Sequence, residues 1–406
     1  MLARSITPTL HRLAAGFPVL AMTGPRQSGK TTLARALFAD KPYVSLEDPI
    51  ERAFAHEDPI GFLARFSQGA VFDEAQRWPD LFSHLQGMVD ADRRPGRFIL
   101  TGSQQFGWLA GVTQSLAGRV GMTRLLPLAA TEIPAVAAHT LSLDSLMLKG
   151  GYPALHTQPV ESADWFASYV ATYVERDVRQ VLNIQSLPTF QRFLRLCAGR
   201  TGQLLNITAL ASEAGITAHT AKSWLAVLES SDLIHLLPPY HRNFGKRLVK
   251  MPKLYFLDTG LASWLLGIRS EEVLGLHPLR GALFENWVVA EFIKTRYNRG
   301  QAADLYFWRD NNGLEADLIF EQGEQLQMVE IKSGQTITSD TIRAGQRATR
   351  MAEGLALAPW LIYGGEETYE RSGVKIYGWR DVHAAMGSHW TAGGCSAPVS
   401  QCVIGR

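Results

Sequence analysis

Several features are scarce in this sequence, and each scarcity removes a class of protein. Cysteine occurs three times in 406 residues, as Cys197, Cys395 and Cys402. An odd count at no ligand spacing offers neither a disulfide framework nor a thiolate metal site, and it suits a reducing cytosol. No apolar run approaches the ~18 to 20 residues that cross a bilayer, so no membrane segment is expected. Met1–Leu20 carries Arg4, His11 and Arg12 among its apolar residues and lacks a small-residue cleavage pattern, unlike a secretory leader. No repeat of solenoid period is visible. Excess charge is missing as well: 40 Lys and Arg against 38 Asp and Glu leave +2. A global basic coat is thereby excluded, and nucleic-acid contact has to come from a local patch. Apolar content is plentiful at 46%, enough for sizeable cores rather than a disordered chain. At roughly 150 residues per domain the length allows about two to four domains. A cytoplasmic multidomain protein is the expectation.

Short apolar runs at Phe17–Met22, Tyr43–Leu46, Ala70–Phe72 and Phe98–Leu100 are each followed by turn or helix signals. They read as buried strands of a parallel sheet, which makes residues 1–135 an α/β domain. Pro127 and Pro134 bracket a change of character, and 136–163 read as a linker or lid. Residues 164–252 are helical and amphipathic. Strand signals return at Leu254–Leu257, Leu305–Trp308, Ala316–Phe320, Met328–Ile331, Trp360–Tyr363 and Val374–Tyr377, giving a second α/β domain over 253–386. From 387 to 406 the chain turns to Gly, Ser, Ala and Cys without periodicity, the composition of a disordered tail.

The sharpest motif is Gly24-Pro25-Arg26-Gln27-Ser28-Gly29-Lys30-Thr31, with Thr32 opening the helical run that follows. Glycines here let successive N–H groups converge on phosphate oxygens, with the helix N-terminus adding its dipole. Lys30 would reach the β- and γ-phosphates of ATP, and the Thr31 hydroxyl would ligate Mg²⁺. Arg26 is expected to face solvent. Ala70-Val71-Phe72-Asp73-Glu74 supplies the acidic strand end that such a site needs. Asp73 would hold the magnesium shell, and Glu74 would polarise the attacking water. Phe98–Gln104 reads as a further core strand ending in small polar side chains, Thr101 and Ser103. In AAA-type ATPases a polar residue there senses the γ-phosphate; a local turn cap is the plainer role. Arg119 is a candidate for stabilising phosphoryl-transfer charge, within the chain or across a subunit boundary, and equally for a structural salt bridge.

Leu205–Thr217 followed by His219–Leu225 has helix-turn-helix grammar, with Gly215 at the turn and Trp224, Leu225 and Leu228 on the packing side. His219 and Lys222 are left available for DNA. Arg242, Lys246, Arg247, Lys250 and Lys253 form an acid-free stretch where a wing would meet phosphates. A lid or subunit-contact module would show the same grammar. Farther on, Asp317 and Glu330 sit on adjacent segments of an expected hairpin turning near Gly323, and Glu330 shares a face with Lys332. Two carboxylates on a divalent metal with a lysine beside the attacking water form a phosphodiester-cleaving arrangement. Glu285, on an upstream helix, is a further candidate ligand. The spacing resembles the Asp…Glu-x-Lys pattern of restriction-endonuclease-like nucleases, although no proline precedes Asp317; structural carboxylates match it too.

Taken in order, the phosphate loop, Leu100-Thr101-Gly102-Ser103, Leu116-Ala117-Gly118-Arg119, the helix-turn-helix and Glu330-Ile331-Lys332 resemble a prokaryotic AAA-type ATPase family with an uncharacterised C-terminal domain. Gly150–Pro153, Tyr173–Val178, Lys253–Leu261 and Leu283–Asn286 fit the same family. The resemblance runs to about Tyr377. It implies a parallel P-loop NTPase sheet, then a winged-helix domain, then a nuclease-like α/β domain, with ATP and Mg²⁺ as cofactors. By analogy with AAA rings it also implies a homo-oligomer, a hexamer being the usual form. Function divides three ways: a DNA-associated ATPase, an ATP-gated regulatory or protein-interaction module, or an ATP-regulated metal-dependent nuclease.

Overall fold

The computed structural model describes residues 2–103, 115–174, 186–240, 250–310, 314–350 and 356–387. Arg242, Lys246, Arg247, most of Tyr173–Val178 and the tail beyond 387 lie outside the described residues.

After helix α1 (Thr7–Gly16), five strands build the first sheet: β1 (Val19–Thr23), β2 (Tyr43–Ser45), β3 (Ala70–Asp73), β4 (Phe98–Thr101) and β5 (Val120–Arg124). Their order is β2-β3-β4-β1-β5, and every pairing is parallel. β1, β3 and β4 are buried throughout, as uninterrupted apolar runs covered on both faces must be. One face packs an aromatic cluster around Phe62, Phe72, Trp78 and Phe82, and the other packs α1 and helix α2 (Lys30–Leu37). Because β4 lies between β1 and β3, the loop after β1 and the acidic end of β3 open onto the same sheet edge. β5 went unread in the sequence. Its burial alternates along Val-Gly-Met-Thr-Arg, so it lacks the apolar run that marks the central strands.

The middle of the chain is helical. Helix Ile207–Ala214 is capped by Asn206, whose Oδ1 accepts from Ala209 N at 3.0 Å, and it stops at Gly215 in the left-handed region. Thr217 Oγ1 accepts from Thr220 N at 3.1 Å and starts helix Ala218–Ser230. Trp224 from this helix wedges between Phe190 and Phe193 of helix Leu187–Ala198, with ring centroids 5.2 and 5.1 Å away. β6 (Ile234–Leu237) and β7 (Lys253–Phe256) then pair antiparallel.

A long helix, Arg280–Asn298, leads into the second sheet. It consists of β8 (Tyr306–Arg309), β9 (Glu315–Gln322), β10 (Gln325–Lys332), β11 (Trp360–Tyr363), β12 (Tyr369–Arg371) and β13 (Val374–Gly378). The order is β12-β13-β11-β10-β9-β8, antiparallel except where β11 joins β10 and β13. β9 and β10 form the expected hairpin around Gly323, at φ 62.

One continuous core runs from Leu126 to Met386, joining the middle helices to the second sheet through the long helix. Polar bonds stitch the same junction. Buried Glu291 accepts from Ala130 N (2.8 Å), Lys294 Nζ (2.9 Å) and His383 Nε2 (2.8 Å), while Lys294 also donates to Leu128 O (3.0 Å). Burial alone would raise the Glu291 carboxyl, but Lys294 and His383 override it and hold it at about 2. Asp258 accepts from Gly151 N (2.7 Å) and Leu261 N (3.0 Å). A Cβ at Gly150 would fall 2.3 Å from Asp258 Oδ1, and one at Gly151 would fall 2.4 Å from Leu128 O. Two stretches that carry the family resemblance, Gly150–Pro153 and Lys253–Leu261, thus meet at a junction through Gly150, Gly151 and Asp258.

Candidate nucleotide site and a second acidic cluster

Backbone shape comes first. Gly24 has φ 146, and a side chain there would meet Leu125 O at 2.1 Å; Gly29 has φ 96 and caps α2. Only glycine takes both positions without strain. Lys30 is buried and donates to Gly24 O (3.0 Å) and Pro25 O (2.7 Å), curling over its own loop. Burial lowers its pKa, and Glu74 and Asp73 partly restore it. Ser28 Oγ is buried with no hydrogen-bond partner, a donor waiting for an acceptor.

Asp73 closes the other side. Its carboxylate accepts from Thr31 Oγ1 (2.9 and 3.0 Å), Tyr43 Oη (2.7 Å) and Thr101 Oγ1. Burial raises the Tyr43 phenol, and its bond to Asp73 raises it further, so it remains a donor. Glu74 follows in the left-handed region, φ 55, half-buried. The Gln76 amide donates both to Glu74 Oε2 and to Ser103 Oγ (3.0 Å), tying the ends of β3 and β4 together. Thr31 and Asp73 present only hard oxygen donors, the set that suits Mg²⁺. A cavity of about 560 Å³ opens over Gln27, Gly29, Lys30, Thr31, Thr32 and Glu74, and its far wall is formed by Leu128, Pro153 and Ala154. That volume falls within the roughly 300–1,000 Å³ usual for small-molecule sites.

Arg26 differs from expectation, and Arg119 takes the structural one of its two expected roles. The Arg26 side chain is only 10% exposed, and Nη1 lies 3.6 Å from Glu47 Oε1, so it does not simply face solvent. Arg119 lies at the opposite end of the sheet. Its carbonyl accepts from Val19 N, at the start of β1, whereas the phosphate loop follows the end of that strand. At ~3.3 Å per strand residue this is about 13 Å away. Arg119 forks onto Asp90 at 2.7 and 2.9 Å, so it does not serve the loop of its own chain.

Arg4 escaped notice in the sequence. It donates to Ser28 O (2.9 Å) and Leu126 O (2.8 Å), and Nε lies 3.3 Å from Glu132 Oε1. It braces the loop from beneath, yet nothing near it in sequence marks the role.

Elsewhere, His219 and Lys222 are exposed on the first turns of helix Ala218–Ser230. In the second sheet, the register that sets Val329 opposite Leu318 brings Glu330 across from Asp317. Lys332 Nζ lies 2.6 Å from Glu330 Oε1 and 3.8 Å from Asp317 Oδ2. Ile331 N donates to Asp317 Oδ2 (2.8 Å). Glu285 reaches the same cluster, where Lys253 meets it at 2.9 Å and Tyr255 Oη donates to it at 2.5 Å. Lys253, expected to serve a DNA-facing wing, is therefore buried instead. Among the described residues, no group of three or more His, Cys, Asp or Glu is arranged to hold a metal.

Comparison with known proteins agrees with this geometry where it can be read. Residues 16–134 match the AAA domain family. The chain is 33% identical over 377 residues to the uncharacterized protein Rv2008c of Mycobacterium tuberculosis, covering 92% of this chain and 82% of that protein. The uncharacterized protein Mb2031c of Mycobacterium bovis matches equally. The chain belongs to their family. Its N-terminal module is an AAA domain that carries the phosphate-loop sequence. Residues 140–272 and 280–381 match two further families, each described as a domain of unknown function (DUF8612 and DUF4143). Among solved structures, the chain is similar to the Walker-type ATPase PABY2304 of Pyrococcus abyssi: 16% identity, 65% of this chain and 96% of that one, TM-score 0.46. A signal-transduction ATPase with a tetratricopeptide repeat sensor from Pyrococcus horikoshii is 12% identical, covering 73% of this chain and 47% of that one, TM-score 0.28. No helix among the described residues is long and apolar enough to cross a membrane.

Proposed function

We propose that the protein binds ATP with Mg²⁺ at Gly24–Thr31, hydrolyses it, and uses the cycle to act on DNA through the middle module. The observation that carries the reading is that Lys30, Thr31 and Glu74 line one cavity, with Asp73 hydrogen-bonded to Thr31 and Thr101 at the same sheet edge. Lys30 exchanges the carbonyls of Gly24 and Pro25 for phosphate oxygens, and Ser28 Oγ gains the acceptor it lacks. Thr31 and Asp73 hold the cation, which when bound neutralises charge on the β- and γ-phosphates. Glu74, oriented by Gln76, takes the proton of the attacking water. Ser103 and Thr101 mark the γ-phosphate end.

For the middle module we carry forward a winged helix, in which helix Ala218–Ser230 presents His219 and Lys222 and the β6–β7 hairpin is the wing. The second sheet we read as nuclease-like in fold. A homo-oligomer with Arg119 at a subunit boundary completes the reading. The rival, a protein-interaction module, draws on the exposed apolar side chains of Ile50 and Ile60, at 78% and 80%. Steady-state ATPase assays with and without duplex, single-stranded and branched DNA decide between them. Stimulation by DNA supports the first reading, and indifference to it supports the rival. In the same assays Lys30→Ala abolishes nucleotide binding, while Glu74→Gln binds ATP and turns it over at least about a hundredfold more slowly. Normal turnover by Glu74→Gln would remove the assigned base.

A further inference from the structure

The acidic cluster of the second sheet is assembled unlike a metal centre. Four carboxylates converge there: Glu285 from the long helix, Glu315 and Asp317 from β9, and Glu330 from β10. Into them reaches Lys253, the first residue of β7, which pairs with β6 rather than with the second sheet. Its side chain is 4% exposed, and Nζ lies 2.9 Å from Glu285 Oε1 and 2.5 Å from Glu315 Oε1. The ring of Phe307 lies 5.5 Å from the same nitrogen. Lys332 takes the other pair, and Arg309 Nη1 lies 3.3 Å from Glu315 Oε2. Three side-chain cations therefore answer four carboxylates.

A divalent metal needs oxygens converging at roughly 2.0 to 2.6 Å from a common point. Here the oxygens of Glu285 and Glu315 converge on an ammonium instead. The lysine is also not free to leave. Its backbone pairs with Leu237 in the β6–β7 ladder and bridges Leu204. A buried ammonium is costly to desolvate and is retained only where its partners compensate it.

We propose that Lys253 is a resident cation of this cluster: its ammonium bridges Glu285 and Glu315, beside the Asp317 and Glu330 pair on which the nuclease pattern would place a divalent metal and which Lys332 already occupies. The cluster then binds no divalent cation and cleaves no phosphodiester, and it fastens the β6–β7 hairpin to the C-terminal sheet. This rests on the ion-pair geometry alone and is independent of the nucleotide reading.

The test is a Mn²⁺ titration of the full-length chain followed by the EPR signal of the free ion. An Asp73→Asn background removes the magnesium candidate at the phosphate loop. The parent is expected to bind no Mn²⁺ that depends on Asp317. Lys253→Met, checked for folding by circular dichroism, gains a site about tenfold or more tighter than any in the parent, and it is lost on adding Asp317→Asn. Lys253→Arg, which keeps the charge, behaves like the parent. Mn²⁺ binding by the parent that disappears in Asp317→Asn overturns the proposal, as does a folded Lys253→Met chain that gains nothing. Should Lys253→Met fail to fold, the parent and its Asp317→Asn partner decide alone: an Asp317-dependent site overturns the proposal, and none supports it.

Discussion

At the residue scale, the phosphate loop was legible as a motif, Arg26 aside, because its pattern is local: glycine placement, a lysine and a hydroxyl fall within eight consecutive residues. The residues whose roles escaped reading act from afar. Arg4 reaches Ser28 across 24 positions, and Lys253 reaches Glu285 across 32. Asp232 is a third case. It lies buried in the turn before β6, with φ 53, an Oδ2 that has no hydrogen-bond partner, and Arg124 Nη1 3.5 Å from Oδ1. Burial pushes its carboxyl from an ordinary 3.8 up to about 6, with Arg124 and Lys30 pulling it back. The folded state therefore holds this proton more tightly than the unfolded chain. Stability from the protonated form is complete below pH 3.8 and is lost as pH rises through about 6. With each tenfold difference in proton affinity worth ~1.4 kcal/mol, the loss is on the order of 3 kcal/mol. Asp232→Asn is expected to be more stable than the parent in urea at pH 7.5, by about 1–3 kcal/mol, with the gain shrinking toward pH 4. An equal difference at both pH values would show that the carboxyl does not titrate in this way.

Elements follow a similar rule. The central strands of the first sheet were readable because a strand buried on both faces must be apolar without a break. β5, at the edge with Gly121 and Thr123, and β12, with three exposed residues, leave no such trace. The helices around Gly215 announced themselves through Asn206, Thr217 and the glycine itself, since caps are written in adjacent residues. What the sequence left unexplained was why glycines precede Tyr152. Gly150 has φ 68, and the end of Asp258 lies where its Cβ would be. Gly150→Ala is accordingly expected to cost about 2–4 kcal/mol in chemical unfolding, since backbone strain and displacement of a buried carboxylate add. The variant Lys149→Ala, one residue earlier, is expected to lie within about 0.5 kcal/mol of the parent. A small effect at Gly150 would mean that the junction yields more readily than its spacing suggests.

On the scale of the whole molecule, sequence reading divided the chain into three modules, but the core from Leu126 to Met386 runs across the expected boundary at 252/253. Contacts between modules have no periodicity, and their partners lie too far apart to be matched by eye. Glu291 shows this best: it sits within a helix that reads as ordinary, yet it collects bonds from Ala130, Lys294 and His383, spanning most of the chain. Glu291→Ala leaves Lys294 buried beside Leu128 without its counter-charge, and a loss of about 3–5 kcal/mol is expected. Differential scanning calorimetry should show the downstream modules melting separately from the ATPase domain in this variant and together with it in the parent. One undivided transition in both would place the coupling elsewhere.

Because the long helix is shared by the middle helices and the second sheet, with no seam in the apolar packing between them among the described residues, a movement begun at the proposed nucleotide site would have few places to bend. Tyr297, near the end of that helix, receives a hydrogen bond from Arg124, the last residue of β5 and the neighbour of Thr23 just before the phosphate loop. Any tilt of the loop is handed to a lever already welded to two thirds of the polypeptide. On the proposed reading, everything downstream of Leu126 would turn as a single block, with its hinge on the phosphate-loop side of the joint.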